Sequence, residues 1–171
     1  TFTDLREARI ALLAIKENTN LPVTVTVSFS ENGLTMNGST PAAAAVTLKA
    51  AGADAIGLNC SLGPDKLKEI VEELISFSSL PVIIKPNAGL PDPETGGYTM
   101  NAQEFCGYMA EFYKKGVFVM GGCCGTSPEY IKLLNETLHK TEKGEGKAPV
   151  TNVISGSGTV SVLSEPRIIG E

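Results

Sequence analysis

Three of the chain's cysteines stand where two strand-like segments end. Cys60 closes the apolar run 53–60, and the adjacent pair Cys123 and Cys124 follows the run 117–120, two strand–helix units later. In parallel α/β folds the carboxyl ends of all strands share one face, where sites form. Neighbouring strands lie about 4.8 Å apart, so strands two places apart lie about 10 Å apart. On a curved sheet, cysteine side chains that reach inward from both strands can meet one ion through bonds of about 2.3 Å. Three thiolates with a fourth position open are typical of a catalytic zinc.

Glycines flank the cysteine pair at positions 121, 122 and 125. Adjacent residues of a regular strand point to opposite faces, so both thiols can meet one ion only if the backbone bends. Glycine permits such a bend. Two other interpretations stay open: buried cysteines that only pack, which we would favour for Cys60 alone, and a phosphate cradle at 121–125 before a helix N-terminus. The phosphate cradle leaves the cysteine pair unexplained.

Two asparagines lie beside these strand ends. Asn59 precedes Cys60, and Asn87 follows the strand that ends near Pro86. Asparagine often caps turns, and it also orients polar substrates through hydrogen bonds. The remaining thiol, Cys106, lies on a predicted helix, where we expect it to pack. The only histidine, His139, lies at a helix end, which argues against acid–base chemistry based on histidine.

The elements that position these residues alternate along the chain. Apolar runs of strand type are followed by amphipathic helices, an order typical of a parallel sheet with right-handed crossovers. This order fits part of a (β/α)₈ barrel, and a small open α/β sheet is the alternative. A whole barrel needs about 250 residues, more than the 171 present. We predict strands at 23–27, 53–60, 81–84 and 117–120, and helices at 4–18, 41–51, 64–77, 102–115 and 128–139.

Composition narrows the class of protein. The chain is 42% hydrophobic and 19% charged with a net charge of −5, which excludes wholesale disorder and argues against a nucleic-acid or acidic-membrane surface. No apolar run is long enough to span a membrane, and no signal peptide is visible. We therefore expect reduced thiols and a cytoplasmic location. Because the chain begins at Thr1, we also expect it to be cut from something longer.

Residues 140–171 differ in composition from the preceding part. The stretch 140–147 is charged and glycine-rich, and 152–164 is rich in serine, glycine and valine. Such compositions are typical of linkers. We predict a linker with one short strand near 159–163, so that residues 1–139 form the domain.

Three separated motifs resemble the homocysteine S-methyltransferase family. They read Gly-Leu-Asn-Cys-Ser-Leu-Gly-Pro at 57–64, Lys-Pro-Asn-Ala-Gly at 85–89 and Gly-Gly-Cys-Cys-Gly-Thr-Ser-Pro at 121–128. They occur in the family's order, and the resemblance covers about residues 1–139. Within the family they are most similar to the homocysteine module of the cobalamin-dependent, multi-module members.

The resemblance implies a (β/α)₈ barrel of which this chain would be the C-terminal half, strands five to eight. Cys60, Cys123 and Cys124 would hold a catalytic zinc, and Asn59 and Asn87 would lie by the homocysteine. Cobalamin and methyltetrahydrofolate would be bound by other modules of the same polypeptide. The tail 165–171 resembles the entrance to a following folate-binding module. A family glutamate that precedes the match to Thr1 is absent from this chain.

The implied function is zinc-dependent transfer of a methyl group to the thiol of homocysteine, which gives methionine. A single-module enzyme that uses betaine or S-methylmethionine, a zinc site that only stabilises the fold, and a phosphate-binding α/β domain remain alternatives. We expect the chain alone to be inactive, and to self-associate because a truncated barrel exposes two sheet edges.

Overall fold

Four short strands form one parallel sheet in chain order, and a helix follows each of them. The structure is a computed structural model that describes residues 1–146 and 148–164. The strands of the sheet are β1 (Thr24–Val27), β2 (Ala55–Asn59), β3 (Val82–Lys85) and β4 (Val119–Met120), and a separate hairpin comprises β5 (Val153–Ser155) and β6 (Val160–Val162). The helices are α1 (Leu5–Asn18), α2 (Pro41–Ala50), α3 (Lys68–Phe77), α4 (Ala102–Lys114) and α5 (Pro128–His139), with one 3₁₀ turn at Pro64–Lys66.

The register of the sheet brings the carboxyl ends of the strands to one face. Ile56 of β2 pairs with Val25 on one side and Val82 on the other, and Ile84 of β3 pairs with Met120. All three pairings are parallel. The loops that follow β2 and β4 therefore emerge on the same side of the sheet, with β3 between them.

The core lies between the sheet and the helices. Val27, Leu58, Ile84 and Phe105 are almost completely buried, and each buried side chain of this size contributes about 1.5–3 kcal/mol by leaving water. Gly57 lies in the middle of β2, where a Cβ atom would come within 1.9 Å of the carbonyl oxygen of Ile83. Only glycine fits there without a shift of the neighbouring strand.

Side-chain caps mark the start of three helices, α1, α2 and α4. The Asp4 carboxylate accepts the backbone N–H of Arg6, and the Thr40 side chain accepts that of Ala43. Asn101 forms a capping box with Glu104 at the start of α4. Each cap satisfies a backbone donor that has no partner inside its helix.

The α/β fold with a parallel four-stranded sheet is confirmed, and it fits part of a (β/α)₈ barrel. The strands and helices predicted within residues 1–139 are all present, and most of their ends are shifted by one or two residues. Two of the differences have a structural cause. The third helix begins at Lys68 rather than at Pro64, since residues Pro64–Lys66 form a separate 3₁₀ turn. The fourth strand has two residues instead of four, because it lies at the edge of the sheet, where Phe118 and Val119 are exposed.

Residues 140–146 and 148–164 lie against the sheet-and-helix body. The backbone N–H of Val150 donates to the Ser76 carbonyl at 2.8 Å, and the hairpin turn accepts the N–H of Thr40 through Gly158 at 2.9 Å. The predicted strand near 159–163 is confirmed as β6, whereas its partner β5 was not expected. Residues 165–171, where we expected the entrance to a further module, lie outside the described residues. No helix in the described part is long and apolar enough to cross a bilayer.

Candidate metal centre

The backbone turns sharply where β2 ends. Cys60 and Ser61 both have left-handed backbone angles, with φ of 68° and 66°. That conformation is uncommon for residues other than glycine and costs about 1–3 kcal/mol, so the surroundings must hold it. The Cys60 N–H donates to the Lys85 carbonyl at 3.0 Å, and the Leu62 N–H donates to the Cys60 carbonyl at 2.9 Å. The turn directs the Cys60 thiol toward the loop after β4.

A second turn follows β4 and carries the other two thiols. The Cys123 N–H donates to the Pro86 carbonyl at 2.8 Å, and its own carbonyl accepts the Thr126 hydroxyl at 2.7 Å. Gly125 adopts a left-handed φ of 80° directly after Cys124. The bend that two adjacent cysteine ligands require is therefore present.

The three sulfur atoms form one cluster. The Cys60 sulfur lies 3.7 Å from that of Cys124, the Cys123 sulfur lies 3.8 Å from that of Cys124, and all three are within 4.8 Å of one another. Four ligands held about 2.3 Å from a tetrahedral zinc lie about 3.8 Å apart. The cysteines are free thiols, and their spacing and chemistry fit a zinc ion.

Both asparagines support the cysteines directly. The Asn59 side-chain amide donates to the Cys123 sulfur at 3.7 Å and to the Thr1 hydroxyl. Asn87 is buried, and its side-chain oxygen accepts the Cys124 N–H at 3.2 Å. Outer partners of this kind orient metal ligands. The structure thus brings together all five residues that the sequence singled out.

The thiols differ in how readily they ionise. Burial raises the pKa of Cys123 to about 11, and the neighbouring Cys60 and Cys124 thiols add to the effect. Burial opposes ionisation of Cys60 as well, but the Ser61 N–H and the other two thiols outweigh it and lower the Cys60 pKa. A bound cation favours the thiolate form of all its sulfur ligands. Of the two shifted thiols, Cys123 is therefore the one whose ionisation needs a nearby positive charge.

Tyr98, which the sequence analysis did not single out, lies beside the cluster. A Cβ atom placed on Gly125 would come within 2.2 Å of the Tyr98 ring, so the ring packs on this glycine. Burial and the interaction of its hydroxyl with the Cys124 sulfur raise the Tyr98 pKa. The long polar loop that carries Tyr98 has no periodic pattern, so no sequence signal ties it to the cysteines.

The other thiol and the histidine lie outside the site. The buried Cys106 thiol donates to the Tyr130 carbonyl at 3.8 Å, and burial raises its pKa. The exposed His139 ring bonds to the Asn135 carbonyl one helical turn earlier. Among the described residues, the three-cysteine cluster is the only group of potential metal ligands.

The geometry disfavours a phosphate cradle at 121–125. An anion site of that type needs backbone N–H groups that point at the ligand. The N–H groups of Gly121, Cys123 and Thr126 donate to the carbonyls of Ile84, Pro86 and Cys123. The N–H of Cys124 donates to Asn87. Most donors of the loop are thus used within the protein.

Comparisons with known proteins agree with the site. The family model of homocysteine S-methyltransferase matches residues 1–138. Methionine synthase of Mycobacterium leprae (strain TN) is 34% identical over 155 residues, which cover 84% of this chain and 13% of the relative. Methionine synthase of Mycobacterium tuberculosis (strain ATCC 25618 / H37Rv) is 34% identical over 185 aligned positions, which cover 100% of this chain and 15% of the relative.

The chain therefore spans a small part, 13% and 15%, of these two relatives. The family match includes both strand ends that carry the thiols, and the identity to the second relative extends over the whole chain. On this evidence the chain belongs to the homocysteine S-methyltransferase family.

Proposed function

We propose that this chain is part of an enzyme that transfers a methyl group to the thiol of homocysteine and so produces methionine, with zinc as the resident metal. One observation carries the proposal: three thiols lie within 4.8 Å of one another on the carboxyl side of a parallel sheet, in a chain of this family. Metal-dependent sites of α/β barrels form at that end.

Cys60, Cys123 and Cys124 would hold the metal. Three thiolates leave one position of a tetrahedral ion free, which homocysteine would take through its sulfur. When bound, zinc supplies the Lewis acidity that keeps a coordinated thiol deprotonated at neutral pH. Asn59 and Asn87 keep the cysteines in place through the bonds described above, and we propose that they also lie beside the bound homocysteine.

We further propose that residues 1–139 are the C-terminal half of a (β/α)₈ barrel, with β1 to β4 as strands five to eight. Phe2 forms a parallel bridge to Val27, with hydrogen bonds to the backbone of Thr26 and Ser28. The first residues thus lie along the outer edge of β1, where a preceding strand of a barrel would lie. At the other edge, β4 would pair with the first strand.

Other modules of a longer polypeptide would complete the reaction. Cobalamin would deliver the methyl group and methyltetrahydrofolate would restore it, each bound outside this chain, with residues 140–171 as the linker toward the folate-binding module. The length and names of the two relatives support this arrangement. We place the enzyme in the cytoplasm, because its free thiols need a reducing compartment.

The proposal is tested by the zinc content of the reduced chain. We expect about one zinc per chain, since the three thiols form a single tetrahedral site. Cys60→Ser, Cys123→Ser and Cys124→Ser should each lower the zinc content sharply. Atomic absorption on protein purified with a reductant measures this.

Cys106→Ser is the matched control, because its thiol is buried away from the cluster. It should leave the zinc content unchanged. An equal loss of zinc in this variant would remove the assignment of the ligands. Supplying methylcobalamin, betaine or S-methylmethionine to the longer polypeptide then identifies the methyl donor.

The isolated chain should have little methyltransferase activity and should self-associate. Half of the loops that build a barrel site are absent from it, and the edge residues Phe118 and Val119 are exposed. Analytical ultracentrifugation at micromolar concentration measures the association. A strictly monomeric chain, or methionine formation at the rate of the complete enzyme, would contradict the half-barrel proposal.

A further inference from the structure

Lys85 ends β3, the strand that lies between the two strands that carry the cysteines. Its carbonyl accepts the Cys60 N–H at 3.0 Å, and the carbonyl of the following Pro86 accepts the Cys123 N–H at 2.8 Å. The backbone at this strand end is therefore bonded to both turns of the cysteine cluster. These bonds set the position of Lys85 relative to the thiols.

The Lys85 side chain leaves the sheet on the face that carries the thiols. Lys85 pairs in register with Asn59, and residues in register on neighbouring strands point to the same face. On that face the Asn59 amide reaches the Cys123 sulfur at 3.7 Å. Ile84, one position earlier, points to the opposite face and is completely buried in the core.

A glycine after β4 leaves room for the stem of the lysine. A Cβ atom on Gly121 would lie 3.3 Å from the Lys85 Cγ atom and 3.7 Å from its Cδ atom. The stem therefore runs along the start of the turn that carries Cys123 and Cys124. When an apolar stem packs in this way, the charged tip stays free to bind a ligand.

The Lys85 ammonium has no partner among residues 1–146 and 148–164. The ion pairs within these residues are made by Lys16, Lys114 and Lys115, and no hydrogen bond of the Lys85 ammonium is present there. The residue is nevertheless partly buried. A partly buried cation without a partner loses hydration and gains nothing for it, so an anion that binds there would be favoured.

Lys85 also supplies the single cation of the four strand ends. The loops that follow the strands, 28–40, 60–63, 86–101 and 121–127, contain no lysine or arginine, although they contain three acids. Homocysteine carries a carboxylate at the other end of a short chain from its thiol. A carboxylate that enters at this face therefore meets one positively charged side chain of these strand ends and loops.

We propose that the Lys85 ammonium binds the carboxylate of the amino-acid thiol whose sulfur reaches the cysteine cluster. The inference rests on the proposed function and adds a substrate-binding residue to the same site. A hydrogen bond between an ammonium and a carboxylate is charge-assisted, and so stronger than one between neutral groups. Lys85 thereby selects amino-acid thiols over thiols that lack a carboxylate.

Calorimetric titration of the complete enzyme, loaded with zinc, tests this role with two ligands. Homocysteine carries the carboxylate, and its decarboxylated analogue, aminopropanethiol, has the same thiol and amine without it. Lys85→Met keeps a stem over Gly121 and removes the charge. We expect the Kd of homocysteine to rise at least about tenfold. The Kd of the analogue and the zinc content should stay the same.

Lys66→Met is the matched control, because Lys66 is an exposed lysine in the 3₁₀ turn that follows Cys60. It should change none of the three quantities. A Lys85→Met enzyme that binds homocysteine as tightly as the unchanged enzyme overturns the inference. An equal loss of affinity for both ligands, or a loss of zinc, also overturns it, because Lys85 would then act on the cluster and not on a carboxylate.

The unchanged enzyme separates this inference from the proposed function. If it takes up zinc and binds homocysteine no more tightly than the analogue, the carboxylate has no partner and the inference alone fails. If it takes up no zinc, or takes up zinc and binds neither ligand, the proposed function itself fails, and the role of Lys85 with it.

Discussion

The two strand ends that supply the thiols are built differently. β2 lies between two partners, has five residues and is buried over four of them. β4 lies at an edge and has two residues, neither of them buried. One side of the cysteine cluster is thus supported by the sheet, and the other side is supported by loops.

The backbone at each end reflects this difference. After β2, the left-handed angles fall on Cys60 and Ser61, residues that pay an energetic penalty for them. After β4, the left-handed angle falls on Gly125, which carries no such penalty. A strongly anchored strand end can hold a strained turn. A weakly anchored one depends on glycine and on contacts from Asn87 and Tyr98.

The largest difference between the two strands should appear in the free energy of unfolding when one side chain on each strand is truncated. Leu58→Ala on β2 empties a site that is 2% exposed, so we expect a loss of about 2–5 kcal/mol in the free energy of unfolding. Met120→Ala on β4 removes a partly exposed side chain of similar size and should cost about 1 kcal/mol or less. Urea unfolding measures both. Equal losses would show that β4 is anchored as firmly as β2.

Much of this architecture could be predicted from the sequence, because it depends on local signals. Ser127 and Pro128 give α5 its start, and the helix has the predicted bounds Pro128–His139. The length of β4 could not be predicted, since it depends on how far an edge strand pairs with β3. β5 likewise depends on contacts with α2, which bring the Ser155 hydroxyl to 3.0 Å from that of Thr47.

Some residues of the candidate site could likewise be predicted from the sequence, and one could not. The cysteines and asparagines could be found from the sequence because they follow strands, and the strands of a parallel sheet end on one face. Their roles as metal and substrate residues stay predictions. Tyr98 could not be found, because its place beside Cys124 depends on the turn at Asp92 and on the bond between Ala88 and Cys124.

Adding a methyl group at Gly125 should disrupt the turn after β4, which is supported by loops. In Gly125→Ala the left-handed angle costs about 1–2 kcal/mol, and the new Cβ atom displaces the Tyr98 ring. We expect the free energy of unfolding to fall by that amount and zinc binding to weaken markedly. Gly38→Ala is the matched control, because Gly38 has nearly the same φ, 79°, and nothing within 4 Å of an added Cβ atom. Weakened zinc binding in both variants would mean that general destabilisation, and not the ring contact, is responsible.

Relief of the strained turn after β2 should have the smallest effect. Ser61→Gly removes the penalty of a left-handed serine, although the unfolded glycine gains conformational freedom that offsets part of it. We therefore expect a net rise of about 0.5 kcal/mol in the free energy of unfolding. Asn152→Gly, at a φ of 55° before β5, should raise the free energy of unfolding by less than Ser61→Gly does. The reason is that asparagine tolerates this conformation better than serine does. Zinc affinity should stay the same in Ser61→Gly, since the backbone bond from Cys60 to Lys85 remains. A loss of affinity in that variant would show that the strained serine, rather than the sheet, holds Cys60 in place.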